Sequence, residues 1–202
     1  MGRTLEGWSH VLKPRDGRLH GPIPRLWLVS DPVRLPDPCA AAALLPRGAG
    51  VLARGLRPPV LARLRRVVRR RGLLLLLGGD PTAALRLRCG LHLPDRAAPP
   101  GLTAFLAARR RGTPWAWLSL AVHGRPAVAR ARRLGADLGF VSPAFATASH
   151  PGAPALGPLR WGALAARLGQ PAVALGGVAA ATAGRLPRGR LAGLAAIGAL
   201  RR

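Results

Sequence analysis

The chain contains no tyrosine and no asparagine, a single methionine, two isoleucines and one lysine, Lys13. Its longest leucine run is Leu73 to Leu77, and nothing approaches the 18 or more apolar residues that a membrane span needs. Met1 to Lys13 carries no apolar core of a leader peptide, so no membrane association and a soluble, cytoplasmic protein are expected. The two cysteines, Cys39 and Cys89, lie 50 positions apart without a CxxC spacing, which leaves disulfides and zinc unsupported. Acidic residues are the other scarcity. Only seven stand against 32 basic ones, for a formal net charge of +25.

That charge resembles the footprint of a nucleic-acid binder, yet its makeup argues otherwise. Of the 32 basic residues 31 are arginine, and Ala, Gly, Pro and Arg together exceed half of the chain. All four are encoded by GC-rich codons and the scarce types by AT-rich ones, so a GC-rich genome accounts for the pattern without a ligand. Recognition of nucleic acid needs basic residues gathered on one surface or interleaved with aromatics. Here arginines run the length of the chain and aromatics make up 4%. No nucleic-acid partner is expected.

What is present is a regular alternation. With 202 residues, 49% hydrophobic and 19% charged, the chain is long enough for one domain with a sizeable core. Residues 1–24 are Gly-, Pro- and charge-rich without periodicity and read as an extended lead-in; 25–202 read as a single domain. Within it, strand-length apolar runs fall at Leu26–Ser30, Gly50–Arg54, Leu73–Leu77, Gly90–Leu93, Ala116–Ala121, Leu138–Ser142, Ala172–Leu175 and Gly193–Ile197. Helical spacing appears between them. Val60, Leu61, Leu64, Val67 and Val68 make one apolar stripe, with Arg63, Arg65, Arg66, Arg69 and Arg70 on the remaining, solvated surface. The same spacing recurs in Ala127, Val128, Ala131 and Leu134, and in Trp161, Leu164, Ala165 and Leu168. Helices also fit Pro38–Leu45, Pro81–Leu87 and Gly101–Arg111.

Eight strands alternating with helices at about 25 residues per unit predict parallel strands, because each crossover returns the chain to the same end of the sheet. Near-continuous apolar strands suit a sheet covered on both faces. The fold expected is an α/β protein, a compact (β/α)8 TIM barrel; a doubly wound open sheet is the runner-up. Only five residues follow the eighth strand, so the eighth helix is truncated or missing. The amino-terminal lead-in or a second subunit in a homo-oligomer would cover that flank.

In such barrels functional groups lie at the carboxyl ends of strands, and phosphate is often held by backbone N–H groups after strands seven and eight. Gly176-Gly177 follows strand seven and Gly198 follows strand eight; both fit an anion meeting bare backbone, as well as a plain tight turn. After strand six, Thr147, Ser149 and His150 sit in a Gly/Pro-rich loop. They offer neutral donors beside a group able to carry charge, although ordinary turn chemistry uses the same residues.

Gly135-Ala136-Asp137, Ser142-Pro143-Ala144-Phe145-Ala146-Thr147-Ala148-Ser149-His150, Gly157-Pro158-Leu159, Pro171 to Val178 and Ala192 to Leu200 together resemble the thiamine phosphate synthase family, which includes thiazole tautomerases. Leu26 to Asp31, Gly90 to Leu93 and Val122-His123 add short matches. The resemblance spans about residues 25–200. It implies a (β/α)8 barrel that joins hydroxymethylpyrimidine diphosphate to thiazole phosphate, both small phosphorylated substrates, releasing diphosphate with magnesium as cofactor. It places Thr147 and Ser149 on the diphosphate, Gly176 and Gly177 on the thiazole phosphate, and Arg54 at the Arg of a Gln-Leu-Arg-x-Lys stretch.

The departures fall in the same places. Leu52 and Leu56 replace the Gln and Lys of that stretch, and His150 replaces a loop lysine, making that contact pH-dependent. Asp80 matches a family acid after strand three with an offset of one or two positions. Asp95 lies near, not at, the second metal carboxylate. The two would serve as magnesium ligands, or as a helix N-cap and a turn residue. The tautomerase branch has a histidine where this chain has Pro143, so synthase chemistry is favoured over tautomerisation. A catalytically degenerate, phosphate-binding barrel is the alternative. His92 and His123 read as packed polar residues first and catalytic groups second.

Overall fold

The computed structural model describes residues 4–17, 21–95, 98–147 and 154–200. Its centre is a closed barrel of eight parallel strands, β3 (Leu26–Val29), β4 (Gly50–Ala53), β5 (Leu74–Gly78), β6 (Gly90–Leu93), β7 (Leu118–Val122), β8 (Leu138–Val141), β9 (Ala172–Ala174) and β10 (Leu191–Ala196), with β10 pairing back onto β3. Two two-residue strands ahead of it, β1 (Asp16–Gly17) and β2 (Gly21–Pro22), pair antiparallel. The helices α2 (Cys39–Ala43), α3 (Pro58–Arg71), α4 (Pro81–Leu87), α5 (Leu102–Arg110), α6 (Arg125–Arg133), α7 (Gly157–Leu168) and α8 (Ala180–Ala183) alternate with the barrel strands. This is the TIM barrel that the alternation predicts. Among the described residues no helix is long and apolar enough to cross a membrane.

Apolar stripes seat the helices. Val60, Leu64 and Val68 of α3 are buried, and Trp161, Leu164, Ala165 and Leu168 bury one face of α7, where the Trp161 indole N–H donates to the Val141 carbonyl at 3.1 Å. The fifth apolar run, strand β7, starts two residues late, at Leu118 where composition favours Ala116. There Arg109 of α5 donates to the Ala116 carbonyl and to the Asp137 carboxylate, which also accepts from the Leu118 N–H at 2.8 Å. With side chains 4% and 0% exposed, this ion pair ties α5 to the amino ends of β7 and β8.

The eighth flank is closed in cis. Residues Leu5–His10 form a helix, α1, where the composition suggests an extended lead-in. Thr4 caps it by accepting from the Gly7 N–H at 3.1 Å, and Leu5, Trp8 and Leu12 recur at i, i+3 and i+7, an apolar stripe too short to stand out among glycine and proline. Leu5 and Leu12 are buried in the core. The Trp8 indole donates to the Ala180 carbonyl at 3.0 Å, so α1 packs on α8 and β10. Among the described residues no helix follows β10.

Inside the barrel one large side chain sets the packing. The fully buried Trp27 of β3 meets Phe140 of β8 edge-on, 5.2 Å between ring centroids, and its indole donates to the Pro24 carbonyl at 2.6 Å. Because β3 and β8 are not neighbours, both rings occupy the lumen. Glycines make room for the indole on both adjoining strands: a Cβ at Gly50 would lie 2.2 Å from the ring, and one at Gly193 would lie 3.3 Å from it and 2.9 Å from the Pro24 oxygen. Gly50→Ala is therefore expected to destabilise the fold by about 1–3 kcal/mol through overpacking, measured by urea denaturation.

Candidate functional site at the carboxyl rim of the barrel

Parallel strands in a closed barrel deliver all their carboxyl ends to one rim. Arg54, Asp80, Asp95, Thr147, Gly176, Gly177 and Gly198 each lie within a few residues of a strand's carboxyl end, so the fold brings these candidates to one mouth. Ser149 and His150 lie outside the described residues.

Arg54 follows β4 and is held from the neighbouring strand. The Ser30 hydroxyl donates to the Arg54 carbonyl at 2.9 Å and accepts from the Arg54 N–H at 2.7 Å, while Arg54 Nε donates to the Ser30 carbonyl at 3.3 Å. Asp31 stands 3.6 Å from the guanidinium. The N–H groups of Arg34 and Val33 and the charges of Arg34 and Arg54 hold the Asp31 carboxyl below its ordinary value. Ser30 and Asp31 are absent from the sequence-derived site; their signal is a polar pair placed directly after an all-apolar strand. Gly78 completes the seat, since a Cβ there would come 3.2 Å from Arg54 Cγ.

Gly176 and Gly177 have φ of +88° and +63°, in the left-handed region that favours glycine. They are also demanded by packing. The loop after β8 rests on them: a Cβ at Gly176 would lie 2.9 Å from Pro143 Cα, and one at Gly177 would lie 2.3 Å from the Ala146 carbonyl. Their carbonyls accept from the Phe145 N–H at 3.0 Å and the Thr182 hydroxyl at 2.9 Å, while among the described residues their own N–H groups meet no acceptor. The same contacts bring the Thr147 loop against the glycine turn. Gly198 is exposed just beyond β10.

The acids divide between two roles. Asp80 is the N-cap of α4, accepting from the Ala83 N–H at 2.8 Å. Asp95, one loop further round, is half-buried, and its carbonyl accepts from Arg130 at 2.9 Å. Among the described residues no three His, Cys, Asp or Glu side chains cluster as a metal site. A magnesium ion held mainly through substrate oxygens needs only one or two protein carboxylates; Asp80 follows β5 and Asp95 follows the adjacent strand β6.

The two rim histidines differ. His123 is exposed and its Nδ1 lies 2.8 Å from the Ser142 carbonyl, which fixes the proton on that nitrogen. His92 is buried in the lumen, Nδ1 2.9 Å from the Ser119 hydroxyl and its ring edge-on to Phe140 at 5.2 Å. Burial, with the positive charges of Arg54 and His123, pushes its pKa down to about 3. It is a neutral packing group beneath the rim.

Over residues 57–200 the sequence matches a family model described as thiamine monophosphate synthase. The structure is similar to that of thiamine phosphate pyrophosphorylase from Pyrococcus furiosus, with a TM-score of 0.68 and 20% sequence identity over 86% of this chain and 85% of that one; at that identity the likeness carries the fold. A search of curated proteins finds no match.

The histidine in the lumen generates a pH signature. His92 takes up a proton near pH 6.5 when unfolded but only near pH 3 when folded, so its cost is nil above that window and grows as pH falls through it. Stability is expected to fall by about 1.4 kcal/mol per pH unit from this group between roughly pH 6 and 5. Denaturation of His92→Gln across that range should show a shallower slope by one proton; an unchanged slope would contradict the assignment.

Proposed function

The chain belongs to the thiamine monophosphate synthase family, and from that premise we propose that it joins hydroxymethylpyrimidine diphosphate to thiazole phosphate, releasing diphosphate, as a step of thiamine biosynthesis. The observation that carries the reading is the meeting at one rim of a fixed guanidinium, Arg54, with a paired-glycine turn whose N–H groups meet no acceptor among the described residues. These are complementary to two separate phosphate groups on two substrates.

The chemistry asks little of the protein beyond position and charge. The bond from the pyrimidine methylene to the diphosphate oxygen breaks, and its electron pair leaves with the diphosphate. The pyrimidine ring stabilises the resulting cation, and the thiazole nitrogen supplies the pair that forms the new C–N bond. No proton is removed by a side chain, which suits a rim poor in bases. Arg54 faces the diphosphate, where the Ser30 contacts prevent the guanidinium from relaxing away as charge develops. Thr147 donates from the loop after β8, and Ser149 and His150 are assigned to the same group. Gly176 and Gly177 hold the thiazole phosphate through their N–H groups, with Gly198 on the adjoining strand leaving the backbone accessible. Asp80 and Asp95 would hold magnesium, whose contribution when bound is to neutralise the leaving diphosphate.

The double duty of Asp80 favours one competing reading, a barrel that retains phosphate binding without turnover. The experiment that separates them incubates the purified chain with both precursors and magnesium and measures thiamine phosphate. Product is expected, and Asp80→Ser, which keeps an N-cap oxygen and so leaves stability nearly unchanged, should lower the rate by about tenfold or more. Absence of product while thiazole phosphate still binds would establish the non-catalytic barrel.

A further inference from the structure

The two oxygens of the Asp31 carboxylate have different tasks. Oδ1 accepts from the Val33 N–H at 3.1 Å and from the Arg34 N–H at 3.0 Å, closing the turn that follows β3. Oδ2 lies between two cations, 3.6 Å from the Arg54 guanidinium and 3.9 Å from that of Arg34. The backbone of the turn is also pinned independently of the carboxylate, because Asp31 and Leu35 exchange N–H to carbonyl hydrogen bonds at 3.3 and 2.9 Å. Arg54 has its own anchor as well. Ser30 holds its N–H, its carbonyl and its Nε from the neighbouring strand. Neither the turn nor the seat of the guanidinium therefore needs the charge at Oδ2.

A charge that the local structure does not need acts on whatever else meets the same guanidinium. The side chain of Arg54 is 38% exposed and that of Asp31 18%, so an anion reaching the mouth meets Arg54 already engaged by a carboxylate. We propose that Asp31 is a positioning residue that acts through Arg54 to weaken the rim's hold on diphosphate, the group that must depart after each turnover. This rests on the synthase reading, in which diphosphate leaves at Arg54. Two anions on one guanidinium repel each other across a few ångströms, and at a half-exposed site the repulsion is reduced by solvent but not abolished. The N–H groups and cations around Asp31 hold its carboxyl below the ordinary value, so it stays ionised across the neutral range and the opposition is constant.

Calorimetric titration of the full chain with inorganic diphosphate at low salt reads this without turnover. Asp31→Asn keeps an oxygen for the Val33 and Arg34 N–H groups and loses the charge. It is expected to bind diphosphate about three- to tenfold more tightly than the unsubstituted chain, and the gain should shrink as salt is raised. Asp31→Ser, neutral and able to accept in the same turn, should change affinity in the same direction. A purely structural role for Asp31 predicts a loss instead, so unchanged or weaker binding in both variants would overturn the proposal. Arg54→Gln separates this outcome from failure of the synthase reading. If Arg54→Gln binds diphosphate as well as the unsubstituted chain does, or neither binds it, diphosphate does not sit on Arg54 and both readings fall. If Arg54→Gln loses binding while the Asp31 variants show no gain, only the role of Asp31 falls.

Discussion

The barrel closes around Trp27. Its indole fills the lumen beneath the rim, and the strands on either side of β3 approach only because they carry Gly50 and Gly193 where any side chain would meet the ring or the Pro24 carbonyl. This seam is where the last strand returns to the first, so closure of the whole barrel depends on it. Closure in turn decides the chemistry. Eight strand ends arrive at one rim, and residues as distant in sequence as Arg54 and Gly176 become neighbours of a single mouth.

The excess of positive charge takes on a definite arrangement in the folded chain. Arginines close the last turns of α3, α5 and α6, where cations complement the negative end of the helix dipole. Four of the seven acids, by contrast, have a local task. Asp137 neutralises the buried Arg109, Asp31 steadies Arg54, Asp37 pairs with Arg63 and Asp80 caps α4. Two of the carboxylates near the rim, Asp31 and Asp80, are thereby bound to neighbouring cations or backbone N–H groups.

Much of this fold was legible in the sequence. Apolar runs separated by helical stripes located eight strands and most helices, since parallel strands covered on both faces need unbroken apolar residues. What was not legible depends on tertiary contact. Helix α1 is too short for periodicity to register, and it is held by the Trp8 bond to Ala180, 172 residues away. The shifted start of β7 follows from Arg109 claiming the Ala116 carbonyl, a contact without local signature. At the site, the placement of the glycines and Thr147 beyond strand ends could be read from spacing within a recognisable stretch, but the contacts of Ser30 and Asp31 could not. Both act across strands, Ser30 on the backbone of Arg54, 24 residues further along, and Asp31 on the guanidinium of the same residue. Asp80 shows the opposite limit: capping and metal binding draw on the same residue type, and geometry assigns one oxygen to the helix.

The central claim is that one rim holds two phosphate groups in separate seats, a guanidinium seat at Arg54 and an amide seat at Gly176-Gly177. A crystal structure of the chain with diphosphate, magnesium and thiazole phosphate tests it most directly. Diphosphate is expected between Arg54 and the Thr147 loop, with the thiazole phosphate on the Gly176 and Gly177 N–H groups. Ligands bound elsewhere, with Arg54 still turned to Asp31 and the glycine amides uncontacted, would contradict it.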